Sequence, residues 1–174
     1  MGIQIAKTAG FCFGVKRAVD TVYKEAEKNN ETIYTFGPII HNEQVVEDLE
    51  RNGVFVVNTI EELKSLKAGT TVIVRSHGVG KFIYDLMEEC GLNIVDATCP
   101  FVKKIHKIVL DNSSEEVVTL IAGDENHPEV KGIKSCAKGE SYVISNAEKI
   151  DELLQEHPTF KEKALIFVRE IIKG

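Results

Sequence analysis

Apolar positions along the chain recur with two alternating periods. Over residues 14–28, Val15, Ala18, Val19, Val22 and Ala26 share one face of a 3.6-residue helix, and Asn29-Asn30 ends it. A β-branched and aromatic run at 32–36 predicts a strand. The spacing then predicts a helix over 43–51 stopped by Gly53, a strand over 54–57, a helix over 60–66 and a strand over 71–74. A helix over 81–90 and a strand over 92–95 lead to Cys99. Beyond it the alternation resumes: a helix to about residue 111, a strand over 117–121, a helix after Glu129, a strand over 142–145, a helix over 147–155 and a strand over 164–168. Residues 1–7 read as one further strand. Strand and helix in alternation, with apolar strands, mean an α/β protein with small parallel sheets flanked by helices and joined by right-handed crossovers.

The pattern is also a repeat. Cys12 and Cys99 stand 87 residues apart, each after a strand-like run and each opening the order C-x-x-V-K-[KR] at the start of a helix. His41-x-Glu43 answers His127-x-Glu129 at an offset of 86, and each has a glycine twelve residues after the histidine, Gly53 and Gly139. Such self-similarity marks copies of one supersecondary unit. The expected organisation is an N-terminal strand of the central region at 1–12, a first α/β domain at 13–98 and a second, incomplete one at 99–174. A third unit of the set, with a cysteine near position 186, lies beyond the chain.

Ligands of such folds gather in the loops at the carboxyl ends of the strands, where His41, His77, His127 and both cysteine turns fall. A cysteine at a helix start meets unpaired backbone N–H groups and the positive end of the helix dipole, which favour the thiolate. Each taken alone is equally a small buried hydrophobe; the repeated setting favours a chemical role. Soft thiolates select an iron–sulfur cluster or zinc, and the spacing lacks the paired C-x-x-C hooks of a zinc ribbon. Three such cysteines around four irons would leave one iron open to substrate. The three histidines, in glycine- or proline-bearing turns, suit a phosphate. Glu129 suits a proton donor if burial raises its pKa, whereas Glu43 suits the first turn of its helix. His106 reads as a helix-face residue, His157 as a loop residue, Asp124 and Glu125 as solvated carboxylates, and Cys90 and Cys136 as packing residues.

Composition narrows the partners. Of 174 residues, 43% are hydrophobic and 28% charged, as in a soluble globular protein. A net charge of −6 and a pI near 5.4 argue against a nucleic-acid or anionic-membrane surface, so any anion must be held by local groups. No apolar run approaches a membrane span and the N-terminus lacks the features of a signal peptide. The expected location is the cytoplasm, where the four cysteines are free thiols or metal ligands.

Taken together, A-G-F-C-F-G-V-K-R-A-V around Cys12, G-P-I-I-H-N around His41, R-S-H-G-V around His77, V-D-A-T-C-P-F-V around Cys99 and H-P-E-V from His127 form a specific set. The sequence resembles the 4-hydroxy-3-methylbut-2-enyl diphosphate reductase family, LytB-type iron–sulfur enzymes that end the methylerythritol phosphate route to isoprenoids. The resemblance implies three similar α/β domains around a [4Fe–4S] cluster held by three cysteines, two of them Cys12 and Cys99. It implies that His41, His77 and His127 bind the substrate diphosphate and that Glu129 helps deliver the proton with which the allylic hydroxyl leaves. Electrons would come from ferredoxin or flavodoxin, and the products would be isopentenyl and dimethylallyl diphosphate. The third cysteine and part of the diphosphate pocket would belong to the unit that this chain lacks, leaving it inactive alone. The alternatives are a diphosphate-binding α/β module without a cluster, and a simple zinc or thiol protein.

Overall fold

Short β-branched runs and amphipathic stretches become strands and helices close to where the alternation places them. The computed structural model describes residues 10–28, 32–40 and 42–169; the strand expected over residues 1–7, and His41, lie outside the described residues. The order is α1 (Phe13–Lys28), β1 (Ile33–Phe36), α2 (Glu43–Arg51), β2 (Val54–Val57), α3 (Ile60–Lys64), β3 (Thr71–Val74), α4 (Lys81–Glu89) and β4 (Asn93–Asp96). It continues with α5 (Pro100–Asn112), β5 (Val117–Ala122), α6 (Pro128–Lys134), β6 (Ser141–Ile144), α7 (Glu148–Glu156) and β7 (Ala164–Arg169). Local chemistry sets several boundaries. The Asn42 side chain accepts the Val45 N–H at the start of α2, and Thr59 and Glu62 form a reciprocal capping box at α3.

Among the described residues all strand pairs are parallel. The first sheet has the order β2-β1-β3-β4 and the second β6-β5-β7. The second order repeats the first, with β5 in the place of β1, β6 of β2 and β7 of β3. Helices α5, α6 and α7 correspondingly follow α1, α2 and α3. The spacing holds at 87 residues from Val54 in β2 to Ser141 in β6, but Ala164 comes 93 after Thr71. A 3₁₀ turn at Pro158–Glu162, opened by Pro158, is inserted before β7 and accounts for the drift. The paired glycines also differ in purpose. Gly53 is left-handed, at φ +79°, whereas a Cβ on Gly139 would fall 2.3 Å from the Ser114 carbonyl oxygen.

Helices cover both faces of each sheet. In β3, Ile73 faces Ala18, Val22 and Leu49 from α1 and α2, while Val72 and Val74 face Leu63, Ile83 and Met87 from α3 and α4. In the second sheet Ile121 packs with Val109, Val130 and Ile133, and Val118 and Leu120 pack with Leu153 and Phe160. This two-sided burial explains why the strands read as nearly continuous apolar runs. Among the described residues no helix is long and apolar enough to cross a membrane.

Ile73 is fully buried on an interior strand, so Ile73→Ala should lower stability by about 2–5 kcal/mol in urea unfolding. Lys64→Ala, at an exposed helix position, should stay within about 0.5 kcal/mol of the parent.

Candidate functional site

Strand β3 runs into the turn Arg75-Ser76-His77-Gly78, closed by the Gly78 N–H donating to the Arg75 carbonyl at 3.0 Å. Gly78 has φ +73°, a conformation that penalises a side chain. Beside it, β4 is extended by the Ala97 N–H donating to Val74 O at 3.1 Å, and the Cys99 N–H then donates to Ser76 O at 2.9 Å. The cysteine turn therefore lies against the histidine turn. Ser76 and Thr98 are both buried, so these backbone bonds are shielded from water.

Polar side chains fix the Cys99 turn from three directions. Asp96 accepts the Thr98 N–H at 2.9 Å and pairs with Lys103 at 2.6 Å, and Arg17 Nη1 donates to the Thr98 carbonyl at 3.0 Å. Burial pushes the Asp96 carboxyl up, but the hydrogen bonds from Lys103 and Thr98 together outweigh it and hold the group below the usual aspartate range. Tyr84, whose hydroxyl lies 3.4 Å from Thr98 Oγ1, is pushed up to about 12 by burial, with the Asp96 charge adding to the effect.

Cys99 caps α5 ahead of Pro100, and its side chain is buried against the first turn of α1. A Cβ on Gly14 would stand 2.5 Å from Cys99 Sγ, so only glycine allows this approach. Two residues earlier is the exposed Cys12, whose carbonyl accepts the Lys16 N–H at 2.9 Å. Gly14 thus brings the two cysteine-bearing helix starts together. Among the described residues no group of three or more His, Cys, Asp or Glu side chains is placed to hold a metal ion.

The histidine turns meet across the two sheets. His77, 6% exposed, follows β3, and His127 follows β5; their rings are 5.4 Å apart in an edge-to-face arrangement of 88°. His127 is the N-cap of α6, with Nδ1 accepting the Glu129 N–H at 3.3 Å, which leaves Nε2 to carry the proton of the neutral ring. Glu129, in the first turn of α6, is wholly buried, a costly place for a carboxyl group.

His106 was expected on a helix face, and that face points into the junction. Its Cε1 is 3.1 Å from where a Gly78 Cβ would lie, and its Nε2 is 3.1 Å from a Cβ on Gly132. The Nε2 atom is buried without a hydrogen-bond partner among the described residues, and burial lowers the ring's pKa against the opposing charge of Asp96. The other secondary candidates take structural places. Cys136 is buried in the core, Cys90 caps α4, and His157 stacks on Phe160 at 4.6 Å. Sequence reasoning passed over Gly14, Ser76 and Thr98; the C-x-G spacing at Cys12 was the available signal for the first.

Three comparisons with known proteins agree. A family model described as LytB protein matches residues 3–170. A 4-hydroxy-3-methylbut-2-enyl diphosphate reductase of Caldanaerobacter subterraneus subsp. tengcongensis is 46% identical over 154 residues, 88% of this chain and 53% of the relative. The protein of the same name from Clostridioides difficile (strain 630) is 42% identical over 153 residues, covering 88% and 54%. A solved structure of (E)-4-hydroxy-3-methyl-but-2-enyl diphosphate reductase matches with a TM-score of 0.75 and 35% identity, covering 96% of this chain and 66% of that one. The E-1-hydroxy-2-methyl-but-2-enyl-4-diphosphate reductase from Plasmodium falciparum gives a TM-score of 0.82 at 30% identity, covering 94% and 49%. The chain spans about half the length of the curated relatives it matches.

Gly14→Ala should force the Cys99 thiol aside, at a cost of about 1–3 kcal/mol in unfolding, and make that thiol react faster with a disulfide reagent. The depressed Asp96 carboxyl contributes stability that is present above the unfolded value, about 3.9, and lost as pH falls through the folded one. Lys103→Gln should therefore narrow the difference in urea midpoint between pH 7 and pH 2.

Proposed function

The chain belongs to the LytB protein family, and we propose that it carries two units of a 4-hydroxy-3-methylbut-2-enyl diphosphate reductase, an oxidoreductase of isoprenoid biosynthesis. In this reading residues 13–98 and 99–174 are its first and second α/β domains. The observation that carries it is the edge-to-face meeting of His77 and His127 beside the wholly buried Glu129 and the Cys99 turn. His77 and His127, with His41, hold the substrate diphosphate by charge-assisted hydrogen bonds from their ring N–H groups. That grip directs the allylic end of the substrate toward the thiols.

Cys12 and Cys99 would hold an iron–sulfur centre through their sulfurs. Their donor chemistry fits one: two soft sulfur donors stand at helix starts that Gly14 lets approach each other. A bound [4Fe–4S] cluster would supply the two electrons of the reduction, received from a ferredoxin- or flavodoxin-type donor. Glu129 delivers a proton to the allylic hydroxyl, so that the C–O bond breaks with water as the leaving group. A second proton completes the allylic carbon skeleton as isopentenyl or dimethylallyl diphosphate. Complete burial of Glu129 keeps that proton from exchanging freely with solvent. The reading places the protein in the cytoplasm.

Two measurements test the proposal. Titration of 4-hydroxy-3-methylbut-2-enyl diphosphate into the chain should show saturable binding that weakens about tenfold or more in His77→Ala or His127→Ala, and little in Glu129→Gln. Anaerobic reconstitution with iron and sulfide should give an iron–sulfur absorption that Cys99→Ser diminishes. Binding without that absorption would identify a diphosphate-binding module instead, and binding indifferent to both histidines would overturn the proposed pocket.

A further inference from the structure

A concavity opens between the two sheets beside the β3 turn, with Gly78 of that turn in its lining. It is a groove of about 290 Å³ whose lining includes Arg75, Lys131, Asn58, Asn126, Phe36 and Phe82. Among the described residues neither His77 nor His127 lines it, and neither does any aspartate or glutamate. In a chain of net charge −6, two cations sharing a groove free of carboxylates are unexpected as solvated surface.

The arginine is held with its charge uncompensated. Arg75 leaves the carboxyl end of β3 and crosses the end of β1, where its Nη1 would lie 2.6 Å from a Cβ on Gly37. Gly37 has φ +73°, so this position favours glycine twice over, by conformation and by contact. The Arg75 Nε is buried with no hydrogen-bond partner among the described residues. Burial lowers the pKa of the guanidinium, which stays protonated at neutral pH. The two acids that precede the lining residue Asn126 are engaged elsewhere: Glu125 pairs with Lys134 at 3.1 Å, and Asp124 Oδ1 accepts the Asn126 N–H at 2.9 Å. A half-buried guanidinium whose Nε has no acceptor among the described residues is a group that an oxyanion satisfies.

The groove is also apolar on one side. Phe82, in the first turn of α4, is 58% exposed, and its ring folds back over Gly80, with Cε1 3.0 Å from where a Cβ would lie. Bare phosphate would leave that ring in water, whereas an organic phosphate covers it.

We infer that this groove binds a small organic phosphate, its phosphoryl group on Arg75 and Lys131 and its organic part against Phe82. Asn58 and Asn126 supply amide donors and acceptors to the remaining polar atoms. The groove adjoins the histidine pocket without taking in either ring: Gly78 follows His77, and Asn126 and Pro128 flank His127.

The test uses the purified chain, with AMP as the organic phosphate and inorganic phosphate as the comparison, followed by calorimetry. AMP should bind saturably and several-fold more tightly than inorganic phosphate. Lys131→Gln, at an exposed position, should weaken AMP about tenfold with unchanged circular dichroism, and Arg75→Gln should do so at least as strongly. Phe82→Ala should weaken AMP while leaving inorganic phosphate unchanged. His41→Ala should leave AMP binding intact, so that failure of the histidine pocket and failure of this groove are read separately. No saturation with AMP at millimolar concentration, or equal affinity in the parent and in Lys131→Gln, would overturn the inference.

Discussion

The structure depends on one constraint: within each sheet every described strand runs the same way. Parallel strands deliver their carboxyl ends, and the loops that follow, to a single edge. In the first sheet that edge carries the His77 and Cys99 turns, joined by the hydrogen bond from the Cys99 N–H to Ser76 O. In the second it carries His127 and Glu129. Helix α5 begins at Cys99 and leads into the second sheet, so one residue ends the first unit's ladder and starts the second unit's framework. A displacement of β4 relative to β3 would shift the thiol against the histidine turn and strain that bond.

Rigidity at that edge comes from glycine and from enclosed polar pairs in combination. Gly14 lets α1 descend onto the Cys99 sulfur, and Arg17, one turn further along α1, holds the Thr98 carbonyl of the same turn. Asp96 organises the backbone below through Thr98 and Lys103. Such a network, with both partners of each bond present, fixes one arrangement in place of several. The relation between the two helix starts is therefore set by packing before any ligand arrives, which is the condition for a preorganised site.

The alternation of periods made the strands and helices legible, because two-sided burial leaves β-branched runs that helices interrupt. The repeat foretold the equivalence of the two sheets, and the observed strand orders agree with it. Other features had no local sequence signal. Nothing in the spacing of His77 and His127 says that their rings meet, since that contact depends on how the second sheet docks on the first. The inward turn of His106 was hidden for the same reason: α5 presents polar residues on several sides, and the direction of the junction is a tertiary fact. Gly53 and Gly139 looked equivalent in sequence and are not, one serving a left-handed turn and the other a close backbone approach.

The imidazole of His106 fills the space between Gly78, from the first unit, and Gly132, from the second. Its thickness sets how near the two units stand, as a shim sets a gap. Three positions far apart in sequence consequently share one tolerance. Enlarging either glycine requires a thinner side chain at 106, and shrinking 106 leaves a void that only bulk at 78 or 132 can close, against the left-handed backbone of Gly78. Descendants of this sequence should thus change these positions in concert, most readily at 106 and 132, and the separation of the histidine turns is inherited with them.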